Sequence, residues 1–445
     1  MINTNYSELD FPRESFKISP LSFPEQVIYW TIVLTPLCWL SSLQTLLYPA
    51  IVIGLLVYRF EIDKLIRNSL PACIWAWLAM AVVMLWTAML GLGSMGAGLA
   101  KIAAALVTFS KSYFLIFAAL ALPFWHCIRL RVVTRAVAWM ATGYLVTIAI
   151  ELVMLFAGVG KEGFTSPLAR LVPGDALGLR VSFADFQNFF GISLPRTALY
   201  MPDPPILGVC ALLCFFICLG ETDRRLRRFA VAGCLAALMI SFSRSAWVCL
   251  ILALLIVACF RSRWARHGSL WVAALTSFLC ALLGLTLNEL INKPMEIFTK
   301  ARAASSSDRE YVVQKTLEAW QQYPWFGWGV IRGSVRWYKY DISLGSFSTY
   351  ASVLYLHGLV GFIVFVTALG LTLWSFWKQA IRDNPLCKRA FASLVALCVL
   401  CQATPLSWMT VYFWFYFVWL GAILFELQQQ EPTISSWEHL SGQTG

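Results

Sequence analysis

The sequence predicts an all-α, polytopic membrane protein of about twelve transmembrane helices, with a large helical outer loop between the ninth and tenth. Three observations predict it. The 445-residue chain is 59% hydrophobic and 13% charged, with a mean hydropathy of +0.71, against about 45–50% and about 25% in a soluble domain. Its 20 Trp and 31 Phe call for a solvent that tolerates apolar surface on every side. Apolar windows of about 20 residues, the length that crosses roughly 30 Å of hydrocarbon, recur along the chain. A soluble enzyme, a disordered chain and a secreted disulfide scaffold are thereby excluded.

The windows fall at 26–43, 44–60, 70–92, 102–124, 136–158, 205–220, 229–243, 245–260, 269–289, 349–376, 390–405 and 408–427. Pro49 breaks the first long run, 26–60, and Ser243-Arg244 breaks the run 229–260. Residues 1–25 are polar, with no signal sequence, and are expected to be a cytoplasmic segment. The polar, Gln-rich residues 428–445 read as a disordered cytoplasmic tail.

Basic residues set the orientation. With the N-terminus inside, the inner segments collect 19 of the 34 Lys and Arg. They are Arg13 and Lys17; Arg59, Lys64 and Arg67; Arg129, Arg131 and Arg135; Arg224, Arg225, Arg227 and Arg228; Arg261, Arg263 and Arg266; and Lys378, Arg382, Lys388 and Arg389. The short outer loops hold Arg244 alone, so both termini are expected in the cytoplasm. The net charge of +11 thus reflects topology, and nucleic acid is not an expected partner. Two long outer segments, 159–204 and 290–348, carry most of the remaining basic residues.

None of the 13 cysteines lies in those outer loops. Cys210, Cys214 and Cys218 at helical spacing, and Cys398 and Cys401, read as core residues. Of the four histidines only His357 lies near the outer face, so a three-His zinc site there is excluded and no metal is expected. The first outer loop has no Asp-x-Asp motif, and the chain has neither a Walker loop nor a soluble nucleotide domain.

Candidate chemistry centres on outward arginines. Arg244, between Ser243 and Ser245, interrupts an apolar run, and a charge at membrane depth costs about 2.5–3.5 kcal/mol on the insertion scale. It should face protein or a water-filled cavity and hold an anion, or else snorkel to headgroups. Arg196 and Asp203 stand before Pro204 and Pro205 at the entry to the sixth span, where prolines fix an extended approach. In the second long loop, Ser307 or Asp308 is expected to cap a helix over 308–323. Val313, Leu317 and Trp320 form its apolar stripe, flanked by Val312, Thr316, Ala319 and Tyr323, while Arg309 and Lys315 fall mostly elsewhere. This helix would lie on the outer surface as a headgroup anchor or as a lid. Glu151, the one acid well inside an apolar run, is either functional or paired with Lys101 or Lys111. Guanidinium forks match diphosphate geometry, so three outward arginines could clamp a lipid-linked diphosphate.

Four stretches resemble the O-antigen ligase and polymerase superfamily of bacterial membrane glycosyltransferases. They are Arg196 through Gly208; Ser241-Phe242-Ser243-Arg244-Ser245-Ala246-Trp247; Asp308-Arg309 through Pro324-Trp325-Phe326-Gly327-Trp328-Gly329; and Ser346 through Gly361. The likeness covers about residues 190–370. It implies a GT-C-like fold in the bacterial inner membrane, working without metal or other cofactor on the periplasmic face. It further implies transfer of a glycan from undecaprenyl diphosphate to an acceptor hydroxyl, with Arg196, Arg244 and Arg309 holding the diphosphate. Family ligases carry a His just before the tenth span, where this chain has Phe347. Candidates for taking the acceptor proton are then Glu151, Asp203, Asp308, Tyr350 and His357.

The leading expectation is an inverting glycan polymerase whose donor and acceptor are both lipid-linked, with a flippase and a chain-length regulator as potential partners besides the bilayer. Ser243 and Lys315 would add donor contacts, and Trp325 and Trp328 would stack on sugar rings. An O-antigen or protein O-oligosaccharide ligase is the alternative, and a secondary anion transporter is the alternative of another class. No internal repeat of the kind transporters show is evident.

Overall fold

The computed structural model describes residues 20–58, 70–159, 163–165, 179–189, 192–261, 268, 303–337 and 340–441. Its helices, apart from Ala303–Trp320, stand at or beside the apolar windows. They are α1 (Phe23–Val33), α2 (Thr35–Leu40), α3 (Gln44–Val57), α4 (Ala72–Ser94), α5 (Leu99–Lys111), α6 (Tyr113–His126) and α7 (Leu130–Phe156). There follow α8 (Pro204–Cys218), α9 (Arg224–Ile240), α10 (Arg244–Cys259), α11 (Ala303–Trp320), α12 (Thr349–Ile381) and α13 (Pro385–Leu400). The chain ends in α14 (Leu406–Met409), a 3-10 turn at Thr410–Phe413 and α15 (Trp414–Ser441). The window 269–289 lies outside the described residues.

The protein is a helical membrane protein. Among the described residues, α4, α7, α12 and the segment Leu406–Gln430 are long and apolar enough to cross a bilayer. The pair α5 and α6, bent by 42°, makes up to a fifth. The expected twelve are not reached by this measure, which covers the described residues and so leaves out the window 269–289. Helices α3, α8 and α10 are apolar but short, and α9 opens with Arg224, Arg225, Arg227 and Arg228, which leave it little apolar length.

Three local expectations are corrected. The first long run breaks at Ser42, which adopts a left-handed φ of 57°, whereas Pro49 lies inside α3. The fourth window is two helices, because Ser112 (φ −105°, ψ −125°) interrupts it and its hydroxyl turns back to the Thr108 carbonyl. Helix α15 continues to Ser441, into the segment expected as a disordered tail, with Glu426, Leu427 and the glutamines after it favouring helix as far as Pro432.

Close crossings hold the bundle together. A Cβ on Gly233 of α9 would lie 2.0 Å from the Ala141 carbonyl oxygen of α7, and one on Gly421 of α15 would lie 2.3 Å from that of Leu120 in α6. Cys210, Cys214 and Cys218 are fully buried, the first two beside the Tyr144 hydroxyl. They pack as core. At the end of α7 where Leu130 lies, the basic residues make ion pairs. Arg129 holds Glu25 at 2.7 Å, and Arg135 holds Glu221 at 3.0 Å.

The opposite end carries β structure. Three antiparallel hairpins form: β1 (Phe164–Thr165) with β2 (Arg180–Val181), β3 (Asp185–Phe189) with β4 (Ile192–Arg196), and β5 (Ser334–Trp337) with β6 (Tyr340–Ser343). In the second, Asp185 faces Arg196 and Gln187 faces Leu194.

Candidate functional site

One end of the bundle gathers the C-terminal ends of α7 and α9 and the N-terminal ends of α8 and α10. Hairpin β3–β4 lies over it. The turn between α9 and α10 requires a left-handed φ of 47° at Phe242, and Phe242 stacks on Phe189 of β3 with centroids 4.6 Å apart. Arg196, the last residue of β4, is buried there. Its Nε donates to the Ser241 carbonyl at 2.8 Å and its Nη1 to Gln187 Oε1 at 2.7 Å, with the guanidinium carbon 5.6 Å from the Phe189 ring centre. Arg196 and the Ser241–Trp247 segment, 45 residues apart at the bonded pair, are thereby brought into direct contact.

Ser243 takes the N-cap position of α10 and Arg244 follows as its first residue. The Ser243 side chain is buried, with Oγ 3.4 Å from Ser245 Oγ. A Cβ on Gly208 of α8 would stand 2.6 Å from Ser243 Cβ and 3.0 Å from Ala246 Cβ. The absence of a side chain at Gly208 therefore lets the starts of α8 and α10 touch. Asp203 occupies the exposed N-cap position of α8, without a side-chain capping bond. The N-termini of α8 and α10 thus meet, with Arg196 bonded to the turn that Arg244 follows, and each contributes positive potential. The arrangement can hold an anion.

Glu151 sits beneath this site. It is buried in the last turns of α7 and accepts a hydrogen bond from the Thr197 hydroxyl, beside Arg196. Thr197 Oγ1 also accepts from the Leu199 amide at 3.0 Å. Glu151 Oε1 is buried without a hydrogen bond of good geometry, although the Ala184 amide approaches the same carboxyl. The partner of Glu151 is therefore Thr197 rather than the expected Lys101 or Lys111.

A second cluster forms where α11 packs on α12. The Arg309 guanidinium lies over the Phe347 ring, 5.2 Å from its centre. The Gly345 amide donates to Thr316 Oγ1 at 3.0 Å, and Ser348 caps α12 through the Ala351 amide. Helix α11 begins at Ala303, so Ser307 and Asp308 lie inside it and not at its cap. Ala303 and Ala304 favour the extra turn. Asp308 is in the helix, but its side chain falls outside the described residues. The most buried residues are Val312 and Thr316, on the flank of the expected stripe, with Val313 and Leu317 half-buried, because Thr316 is turned towards the Gly345 amide. Lys315 is on the outer face, bonded to Glu318 at 2.6 Å, and this bond raises the Lys315 pKa.

The remaining candidates have structural partners. The Tyr350 hydroxyl donates to the Cys398 carbonyl at 2.8 Å. His357 is buried, with Nδ1 2.7 Å from Thr87 Oγ1. Trp328 Nε1 donates to the Ala319 carbonyl at 2.9 Å, and Arg332 covers its ring at 5.0 Å. Trp325 is exposed.

The aromatic segment Pro324–Gly329 has a structural logic that its sequence alone does not display. Helix α12 is interrupted at Gly358 (φ 64°, ψ −164°). The interruption frees two carbonyls and two amides for the loop. Trp328 N–H donates to Tyr355 O at 2.9 Å and Gly329 N–H to Leu356 O at 2.8 Å; Leu359 N–H donates to Pro324 O at 2.8 Å and Val360 N–H to Trp325 O at 3.2 Å. Gly327 and Gly329, both at positive φ, permit the approach.

Sequence reasoning overlooked Gln187, Thr197 and Arg332. Arg332 bonds the Gly91 carbonyl at 2.9 Å and the Ser94 hydroxyl, and exchanges backbone hydrogen bonds with the Tyr355 hydroxyl. A cation three residues after the Gly-x-Gly of the aromatic loop was the signal available for it.

Among known families, residues 229–366 match the one described as O-antigen ligase. The matched segment contains Arg244, Arg309, Tyr350 and His357; Arg196 and Glu151 precede it. No curated protein matches the chain.

Proposed function

Taking the O-antigen ligase domain of residues 229–366 as premise, we propose that the protein is a glycan polymerase. In this reading it transfers a glycan from undecaprenyl diphosphate to a sugar hydroxyl of an incoming lipid-linked unit, with inversion. The observation that carries it is the bond from Arg196 to Ser241, which sets one arginine against the turn that bears the other, between two helix N-termini.

The acceptor oxygen attacks the anomeric carbon, forming the new glycosidic bond as the bond to the diphosphate oxygen breaks. The electron pair leaves with the diphosphate. Arg196 and Arg244 stabilise the charge growing on it, and Arg309 supports it from α11. A preorganised cation is worth most where charge develops and water is excluded. The hydroxyl proton needs an acceptor at the mouth. Asp203, exposed at the start of α8, fits this role. Phe347, where a ligase has its His, carries Arg309 on its face and favours polymerase over ligase. In the topology expected from the basic loops, the site faces the periplasm, with both termini in the cytoplasm.

The test is chain lengthening in membranes supplied with lipid-linked repeat units. Arg244→Ala should lower it by about 10²–10³-fold, the scale of losing one charge-stabilising donor, while the protein inserts normally. Polymer of normal length from that variant would refute the reading.

A further inference from the structure

The aromatic segment following α11 sits at a definite depth. In α12, the last basic residue, Lys378, lies over Trp374 at 5.3 Å, a pairing suited to one membrane boundary. Twenty residues separate it from the break at Gly358, about 30 Å at 1.5 Å per residue. In α4, nineteen residues separate Ala72 from Gly91, about 28 Å on the same rise. Both distances match the hydrocarbon thickness. Gly358 and Gly91 are the two places where the loop is clamped. A Cβ on Gly358 would lie 2.3 Å from the Trp325 carbonyl carbon, and one on Gly91 would lie 2.5 Å from the Trp328 carbonyl oxygen. Two helices, measured independently, put the loop at the boundary opposite Lys378.

The side chains agree with that depth. Trp75, Val82, Trp86 and Leu90 are exposed on one face of α4, at the spacing of a single stripe. Phe326 meets Trp86 edge-on at 5.2 Å and continues the stripe beyond the helix. Around it Tyr323, Trp325 (64% exposed) and Ile331 also face outward. The backbone agrees as well. Non-helical chain at the edge of hydrocarbon needs its polar groups bonded within the protein, and the four bonds to the interrupted α12 do this for Pro324, Trp325, Trp328 and Gly329.

We infer that Tyr323, Trp325, Phe326 and Ile331, together with Trp86, form an interfacial edge that lies among the headgroups and upper acyl chains of bilayer phospholipid. Trp and Tyr favour this zone because their rings are apolar and their N–H and O–H groups remain wet. The occupant is phospholipid, not a sugar ring or a second copy of the chain. The inference is independent of glycan transfer.

It is tested on the full-length protein in liposomes of phosphatidylethanolamine and phosphatidylglycerol. A photoreactive p-benzoylphenylalanine replaces Trp325 or Phe326, with Val82 on the lipid-facing stripe and Tyr311 on α11 as references. After irradiation, mass spectrometry should find phospholipid adducts at 325 and 326 within about threefold of the yield at 82, and at least tenfold above that at 311. Yields at 325 and 326 no higher than at 311, or a covalent dimer as the main product there, would overturn the inference. Because the readout is adduct mass and not activity, loss of polymerase function in a variant leaves the result interpretable.

Discussion

Replacing Gly358 by Ala should undock the aromatic loop. At φ 64° and ψ −164° the backbone occupies a region open in practice to glycine alone, so a side chain there costs about 1–3 kcal/mol. The new Cβ would also stand 2.3 Å from the Trp325 carbonyl carbon and oxygen and 2.5 Å from the Phe326 nitrogen. These are backbone atoms and cannot swing away. Ala moreover favours closing α12 into continuous helix, which would reclaim the Tyr355 and Leu356 carbonyls from Trp328 and Gly329. Four inter-segment hydrogen bonds are at stake, each contributing about 0.5–1.5 kcal/mol. A net weakening of about 3 kcal/mol would raise the undocked population by roughly 10²-fold, at about 1.4 kcal/mol per tenfold. Hydrogen exchange read by mass spectrometry on reconstituted protein measures this. The Trp328 and Gly329 amides should exchange about 10²-fold faster, while amides of Trp414–Phe425 in α15 keep their protection. Unchanged protection at Trp328 and Gly329 would show that the interruption of α12 does not hold the loop.

Gly208→Leu should separate the starts of α8 and α10, because its Cβ would already be 2.6 Å from Ser243 Cβ; a loss of at least tenfold in chain lengthening with normal insertion is expected, and full activity would refute the close approach. Thr197→Val leaves the buried Glu151 carboxyl without its hydroxyl donor and should cost about 1–3 kcal/mol, read as a lower thermal midpoint in detergent; an unchanged midpoint would contradict this. Burial raises the Glu25 carboxyl, but hydrogen bonds from Arg129 and Ser22 outweigh it and hold its pKa below the ordinary value. The stabilisation should therefore be complete above the unfolded carboxylate range, near pH 4–5, and disappear as pH falls through the lower folded value. Glu25→Gln should lower stability at pH 7 and lose that difference at the acid end; a difference that grows towards acid would reverse the sign and refute the pairing.

Much of the helical layout was legible because apolar length is a one-dimensional property. The windows at 70–92 and 349–376 became α4 and α12 with little adjustment. The turn at Ser243-Arg244 was readable too, as a charge within an apolar run needs a reason. What sequence could not display is how non-local backbone is bonded. Trp328, expected as a sugar-stacking ring, has its Nε1 bonded to the Ala319 carbonyl and Arg332 over its ring. Glu151 reads as an ion-pair partner of a lysine until Thr197 is folded onto it. The most buried line of α11 lies on the flank of the expected stripe because Thr316, polar by type, is bonded to the distant Gly345 amide. The hairpins escaped notice since their short strands carry no sustained alternation.

Arg196 reaches the turn between α9 and α10 on a strand, and this makes its aim a matter of parity. Side chains on a strand alternate sides with every residue, so a register slip of one in hairpin β3–β4 would turn Arg196 away from Ser241 and part it from Gln187. Drift in loop length between the fifth and sixth spans is therefore tolerable only in forms that preserve the pairing of Asp185 with Arg196. A segment outside the O-antigen ligase match thereby carries a constraint that counts in residues, one by one, and not in bulk length or polarity.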